Sequence, residues 1–248
     1  MIVEERVRRR LESATRFGDI RTFAQVDSTN RWLLERAAEG GAEGMVAVAD
    51  HQAAGRGRRG RRWEAPPGTA LLVSVLLRPP LDPGRWHLVN SAVALAARQA
   101  VHAVAGFAPD LKWPNDLLVG ERKLAGVLAE AAGAALVVGV GCNVSWAPPG
   151  AASVEEEAGR TIDRQALLES LLVALEGWYG RWDAVPPAYR GACATIGRQV
   201  RVECPGGLVE GRAEGVDDDG RLLVRPPGAG TLALAAGDVV HLRLASEE

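Results

Sequence analysis

Residues 70–77 read Ala-Leu-Leu-Val-Ser-Val-Leu-Leu, with Ser74 the one polar side chain. No alternation is visible, so the run predicts a strand buried on both faces. Such a strand demands a layer of structure above it and another below. The run is also far too short to cross a bilayer. Leu88 to Val104 is Ala-rich, with Leu88, Ala92, Leu95 and Ala96 at helical spacing, and predicts a core helix. Glu4 to Ser13 predicts a short surface helix. Arg21 to Val26 predicts a strand entering the polar turn Asp27-Ser28-Thr29-Asn30. Trp32, Leu33, Arg36 and Ala37 continue with helical periodicity, so Ser28 or Thr29 caps that helix.

Met45 to Ala49, Lys123 to Glu130 and Ala135 to Val144 predict further strands, and Leu111 to Val119 two extended pieces hinged at Pro114. Trp146 to Gly159 reads as a loop. Asp163 caps a helix expected to reach Trp182, with Pro186 and Pro187 marking the break after it. From Thr195 the texture changes. Val200 to Glu203, Leu208 to Val216, Leu222 to Val224 and Val239 to Leu244 are short β-type pieces separated by Gly-, Pro- and Asp-rich turns. That pattern predicts a small all-β barrel.

A chain of 248 residues admits one sizeable core with a small satellite domain. Met1 to Arg10 lacks the apolar run of a secretory signal. Cys142, Cys193 and Cys204 are widely spaced and form no CxxC pair. Neither a zinc site nor a disulfide framework is indicated, and the usage fits a reducing, cytoplasmic compartment.

Net charge is −2, yet Arg56, Arg58, Arg59, Arg61 and Arg62 crowd into seven residues. Gly55, Gly57 and Gly60 are set among them. Focused charge on a backbone free to approach a ligand suits a small anion, and the segment is expected to close over a phosphate-bearing substrate. Five like charges repel when nothing is bound, so the loop is expected to be mobile alone and ordered by ligand. A solvated basic loop or a nucleic-acid patch is the competing reading; Gln52 before the segment and Trp63 after it argue against that.

Of the 29 basic residues only Lys112 and Lys123 are lysine. Either the two lysines cluster by chance, or a compact ammonium does there what a wide, planar guanidinium cannot. Lys112 opens Lys-Trp-Pro-Asn-Asp-Leu, in which Pro114 forces Trp113 to be extended. Asn115 and Asp116 then sit at a turn with side chains free for hydrogen bonds or for Mg²⁺ through water. As structure alone, Pro-Asn-Asp is simply a good turn. Lys123 opens Lys-Leu-Ala-Gly-Val-Leu-Ala-Glu, where alternation puts it on the face of Ala125 and Val127. A lysine on a small-residue strand face suits a carboxylate or phosphate; a strand's exposed start is the plainer alternative. Gly139-Val-Gly141-Cys-Asn143 is glycine-rich at a strand end, a weak signal by itself.

Together, Asp27-to-Asn30, Gln52-to-Trp63, Lys112-to-Leu117 with Lys123-to-Gly126, and Gly139-to-Asn143 resemble biotin–protein ligases. The resemblance implies an α+β fold. A central mixed β-sheet catalytic domain of the biotin/lipoate ligase type would span 1–190, and a small SH3-like β-barrel 195–248. It implies two steps: biotin and ATP give biotinyl-adenylate and pyrophosphate, and the biotinyl group then passes to a lysine of a biotin carboxyl carrier domain. Mg²⁺ would accompany ATP.

Carried over residue by residue, Ser28, Thr29, Asn30 and Gln52 match biotin-binding positions. So do Gly55, Arg56, Gly57, Arg58, Gly126 and Gly141, the last at the pocket floor. Lys123 matches the lysine bridging biotin's carboxylate and the α-phosphate. With Arg58 it is the expected catalytic pair, acting electrostatically. Arg58, Arg61, Trp63, Lys112, Asn115, Asp116 and Asn143 fall on the ATP side, Asp116 also toward the metal. Trp63 either packs on the adenylate or anchors the loop. Ser145 departs from the second asparagine of many relatives, which puts any contact there in doubt.

About twenty-five residues precede Asp27, too few for the winged-helix domain of the repressor members, so no DNA binding is expected. A dimer through the central sheet is common in the family. The rivals are a lipoate–protein ligase of the same fold and, in a different class, a nucleic-acid-binding module using the arginine loop.

Overall fold

The computed structural model describes residues 3–242. Seven strands form the main sheet: β1 (Ile20–Val26), β2 (Val46–Gln52), β3 (Ala70–Leu77), β4 (Asp110–Lys112), β5 (Asp116–Val119), β6 (Arg122–Ala132) and β7 (Ala135–Asn143). Their order is β1-β2-β3-β7-β6-β5-β4, with β1 and β2 parallel and the remaining neighbours antiparallel. Central β3 is buried at all eight positions. Burying one such aliphatic side chain is worth about 1.5–3 kcal/mol, so β3 contributes heavily to holding the layers together.

Leu71, Val73, Val75 and Leu77 join the core built by α3 (His87–Ala105) and α5 (Arg164–Trp178). Leu76 packs on the opposite face with Leu33 and Ala37 of α2 (Thr29–Ala38). Ser74 shares that second face and meets the start of α2, which explains the one polar residue in the run. α1 (Glu5–Ala14) buries Val7 and Leu11 in the larger core. Gly106, at φ 86°, closes α3 in the left-handed conformation that glycine adopts without cost.

Several expectations are corrected. Residues 146–159 contain a short helix, α4 (Val154–Ala158), anchored by buried Val154. Its acidic first turn, Glu155 to Glu157, suits the positive end of a helix and outweighs the preceding Pro and Gly. The helix capped by Asp163 stops at Trp178, not Trp182. Pro186 and Pro187 do not break structure but lie in the first turn of α6 (Val185–Ala192), where a missing N–H leaves nothing unpaired.

The C-terminal β-region is a five-stranded antiparallel sheet in the order β11-β10-β9-β8-β12. Its strands are β8 (Gln199–Cys204), β9 (Gly207–Val216), β10 (Leu222–Arg225), β11 (Leu232–Leu234) and β12 (Asp238–His241). β11 escaped the sequence reading because its three residues are mostly exposed and carry no pattern. Positions 243 and 244, expected to extend β12, lie outside the described residues.

This sheet docks beside the main one. The Trp113 backbone N–H donates to Thr195 Oγ1 at 3.1 Å and its indole N–H to the Gly220 carbonyl at 2.9 Å. The Trp113–Pro114 peptide is cis.

Candidate active site

A cleft of about 340 Å³ opens on the α2 side of the main sheet. Its floor is glycine. Gly126 of β6 and Gly141 of β7 are cross-strand partners, and the Trp63 indole lies over them. A methyl group on Gly141 would sit 2.6 Å from that ring, so no larger residue fits beneath it. Strand alternation turns Val140 and Cys142 the other way, into the core. Burial pushes the Cys142 thiol up to about 12, which makes it a packing residue and not a nucleophile.

One wall is the start of α2. Ser28 caps the helix, its hydroxyl accepting from the Arg31 backbone N–H, while Thr29 and Asn30 are buried against the sheet. Gln52, at the end of β2, accepts the Thr29 N–H at 2.8 Å through Oε1. Thr29 Oγ1 lies 2.7 Å from Ser74 Oγ, and Ser74 donates to Asn30 Oδ1 at 2.6 Å.

The opposite wall carries charge. Lys123 Nζ is 2.7 Å from Asp116 Oδ1 and 5.7 Å from the Trp63 ring centroid, with its side chain 40% exposed. It does not share a face with Ala125 and Val127, as simple alternation implied. The β5–β6 register shifts between Leu117 and Leu118, which pair with Ala125 and Lys123, so Leu124 is an extra residue. This bulge sends Lys123 to the cleft alongside Gly126, while Ala125 and Val127 enter the core.

Asn115 and Asp116 are not free either. Asn115 donates to the Val127 carbonyl at 2.9 Å and accepts from Arg58 at 3.2 Å; Asp116 holds Lys123. Lys112 lines the cleft, and burial lowers its ammonium pKa below the ordinary value.

The glycine–arginine segment forms the roof. Its mutual repulsion is offset by acids that the sequence reading did not connect to it. Arg56 pairs with Glu130 at 3.0 Å, and Arg59 with Glu203 at 3.2 Å. Arg58 and Arg61 both reach Asp238 of β12. Arg58 also donates to the Gly237 carbonyl at 3.0 Å. Desolvation lowers the Arg58 pKa, with Asp238 pulling the other way.

Ser28, Thr29, Asn30, Gln52, Arg56, Gly57, Arg58, Arg61, Trp63, Lys112, Asn115, Asp116, Lys123, Gly126 and Gly141 thus converge on one cleft. Gly55 and Asn143 do not line it. Gly55 sits under the loop base, its carbonyl accepting the Trp63 N–H at 3.1 Å. Asn143 is buried and donates to the Ala152 carbonyl at 3.0 Å, which pins the segment following β7. Asp238 also lines the cleft, and Ser74 and Glu130 stand behind its walls; sequence reasoning connected none of the three to it. Only Ser74 left a signal, as a lone hydroxyl in an apolar strand.

The cleft offers a closed hydrogen-bonding end, a glycine floor and a cationic mouth. It accommodates an elongated ligand with a polar head and an anionic tail. Residues 22–145 match the Biotin/lipoate A/B protein ligase family, and residues 195–242 the Biotin protein ligase C terminal domain. The chain is 42% identical over 234 residues to a biotin–[acetyl-CoA-carboxylase] ligase of Mycobacterium tuberculosis, covering 89% of this chain and 88% of that one. It is 30% identical to the bifunctional ligase/repressor BirA of Escherichia coli, covering 85% and 70%. Among solved structures it resembles a biotin protein ligase from Aquifex aeolicus in complex with biotin and ATP. The TM-score is 0.82 at 26% identity, with 92% of this chain and all of that one covered. On its sequence and its fold alike, the chain belongs to the biotin/lipoate protein ligase family.

Proposed function

We propose that the chain is a biotin–protein ligase that forms biotinyl-5'-AMP from biotin and ATP and transfers biotin to a lysine of a biotin carboxyl carrier domain. The observation that carries this reading is the juxtaposition of the Thr29–Gln52 pair with Lys123 and Arg58 across one glycine floor. In this reading residues 1–190 form the catalytic unit and 195–248 a C-terminal domain that braces its roof. The cysteine usage favours a cytoplasmic setting, and no helix of the described residues is long and apolar enough to cross a membrane.

In the first step an oxygen of biotin's carboxylate attacks the α-phosphorus and the bond to pyrophosphate breaks. The carboxylate is already ionised, so no base is required. The obstacle is charge, because an anion approaches a polyanion. Lys123 stands where both meet, and Arg58 and Arg61 offset the triphosphate from above. Asp116 holds the Lys123 ammonium in place and leaves its second oxygen for a cation.

The described residues contain no cluster of three or more acidic, His or Cys groups suited to a metal. With Asn115 engaged by Arg58 and Val127, the second oxygen of Asp116 would hold a Mg²⁺ that arrives on ATP and keeps its waters. That ion would offset phosphate charge. In the second step the carrier's amine attacks the acyl carbon and AMP leaves. The segment 55–62 and Trp63 shield the mixed anhydride from water.

Incubation with ATP, Mg²⁺ and biotin should release pyrophosphate, and a carrier domain added afterwards should gain one biotinyl group by mass. Release with lipoate in place of biotin would reassign the substrate. Tight, salt-dependent DNA binding without ATP turnover would overturn the ligase reading.

A further inference from the structure

We infer that Glu130, through a one-way chain of hydrogen bonds, fixes Thr29 Oγ1 as an acceptor facing the cleft and thereby selects a ligand head group bearing an N–H. The inference rests on the ligase reading, since biotin's cyclic urea offers such N–H groups and lipoate's dithiolane offers none.

The direction of each bond follows from chemistry at the far end. Glu130 carries a carboxylate paired with Arg56 at 3.0 Å, and a carboxylate only accepts. The Asn30 amide nitrogen lies 2.9 Å from Glu130 Oε2 and 3.1 Å from the Leu128 carbonyl. Both neighbours are acceptors, so the Asn30 group facing them is the NH₂ and both its protons are used. Its Oδ1 therefore points at Ser74 and can only accept, and the 2.6 Å contact spends the Ser74 proton.

Ser74 Oγ can then only accept from Thr29 Oγ1 at 2.7 Å, the shorter of the two contacts that compete for the Thr29 proton; the other, to Gln52 Oε1 at 3.1 Å, also ends on an acceptor in the wall. The Thr29 backbone N–H fixes Gln52 in the same way, with Oε1 toward Thr29 at 2.8 Å and its NH₂ turned away. Thr29 Oγ1 is left with lone pairs alone for the cleft. A head group without a donor would leave that acceptor desolvated and unpaired, which is how a site rejects a shape-compatible ligand.

Neither Ser74 nor Glu130 lines the cleft, so both act through Thr29 as positioning residues. Gly139 belongs to the same device. A methyl group there would collide with Asn30 Oδ1, so the amide can lie across β7 only above a glycine.

The test is Glu130→Gln, which keeps the shape but can present a donor to Asn30 and reverse the chain. Biotin affinity should fall about tenfold, the scale of one hydrogen bond, with kcat at saturating biotin and the KM for ATP unchanged. Thr29→Val should cost a similar factor, and the double variant no more than either alone. In a Ser74→Ala background, where the chain is cut, Glu130→Gln should have no further effect.

Full additivity of Glu130→Gln with Thr29→Val, or a raised KM for ATP, would mean that Glu130 acts only by holding Arg56 and the roof, and would overturn the inference. Should Glu130→Gln fail to fold, Ser74→Ala alone decides. A several-fold loss of biotin affinity at unchanged KM for ATP supports the chain, and unchanged affinity for biotin overturns it. A parent chain that neither binds biotin nor releases pyrophosphate with it would instead remove the ligase reading, and this inference with it.

Discussion

Lys123 lies 2.7 Å from Asp116 and 40% exposed, in a chain that otherwise uses arginine for 27 of its 29 basic residues. Its ammonium reaches the cleft from a bulge, directly over Gly126, as a compact point charge where a guanidinium would bring a flat fork. Half-exposed ion pairs contribute roughly 0–1 kcal/mol to stability. Lys123→Ala should therefore leave the thermal midpoint nearly unchanged while reducing biotin-dependent pyrophosphate release by several orders of magnitude. Lys123→Arg should remain poor, because the charge is restored in the wrong shape. Pre-steady-state pyrophosphate release checks both. A fully active arginine variant would mean that charge alone, without its placement, suffices. That Lys123 belongs to the cleft was legible in the sequence, because the scarcity of lysine marked the position. The face on which it emerges was not. A bulge is set by pairing with β5, and nothing in the Lys-Leu-Ala-Gly string itself reports it.

The same division holds for whole elements. β3 and α3 were readable because their burial is written into continuous apolar runs and helical spacing. α6 was not, since Val-Pro-Pro reads equally as a stop and as a first turn, and only packing of Val185 and Tyr189 decides. The roof over the cleft depends on partners far away in the chain. Asp238, at the start of β12 and 15% exposed, meets Arg58, Arg59 and Arg61 together. The arginines advertise themselves locally, whereas an aspartate at a strand start more than 170 positions later does not. Removing its charge leaves three guanidiniums facing one another. Asp238→Asn should therefore loosen segment 55–62, seen as faster tryptic cleavage after its arginines. Binding of ATP, which resupplies negative charge to the same groups, should suppress that cleavage. Equal cleavage rates in parent and variant would show that the other anchors, Arg56–Glu130 and Arg59–Glu203, hold the roof without Asp238.

Across the molecule, the contact between the two sheets contains two histidines that the fold keeps neutral. His87, at the start of α3, packs against Gly220 in the β9–β10 turn. His241, at the end of β12, shares a hydrogen bond with Thr195 Oγ1 at 3.1 Å, the hydroxyl that also receives the Trp113 backbone N–H. Burial lowers both from the ordinary value of 6.5. For His87 the opposing pull comes from Asp219 and Asp217; for His241 the cations Lys112 and Arg198 add to the lowering, and Glu121 opposes it. Because the folded values are depressed, the unfolded chain takes up protons that the native state refuses as pH falls below 6.5. The contribution of both groups to stability is thus complete above 6.5 and declines below it. Urea midpoints measured between roughly pH 5 and 8 should fall on the acid side, and a His87→Asn, His241→Gln pair of substitutions should flatten that limb. The histidines sit at the junction, so the first event on acidification should be undocking of the C-terminal sheet. That would release the Trp113 indole from the Gly220 carbonyl and change tryptophan fluorescence before the main sheet unfolds. β12 also supplies Asp238 to the roof, so adenylate formation should decline over the same pH range as the fluorescence change. Activity that survives undocking would show that the seven-stranded sheet and its arginine segment suffice for the chemistry.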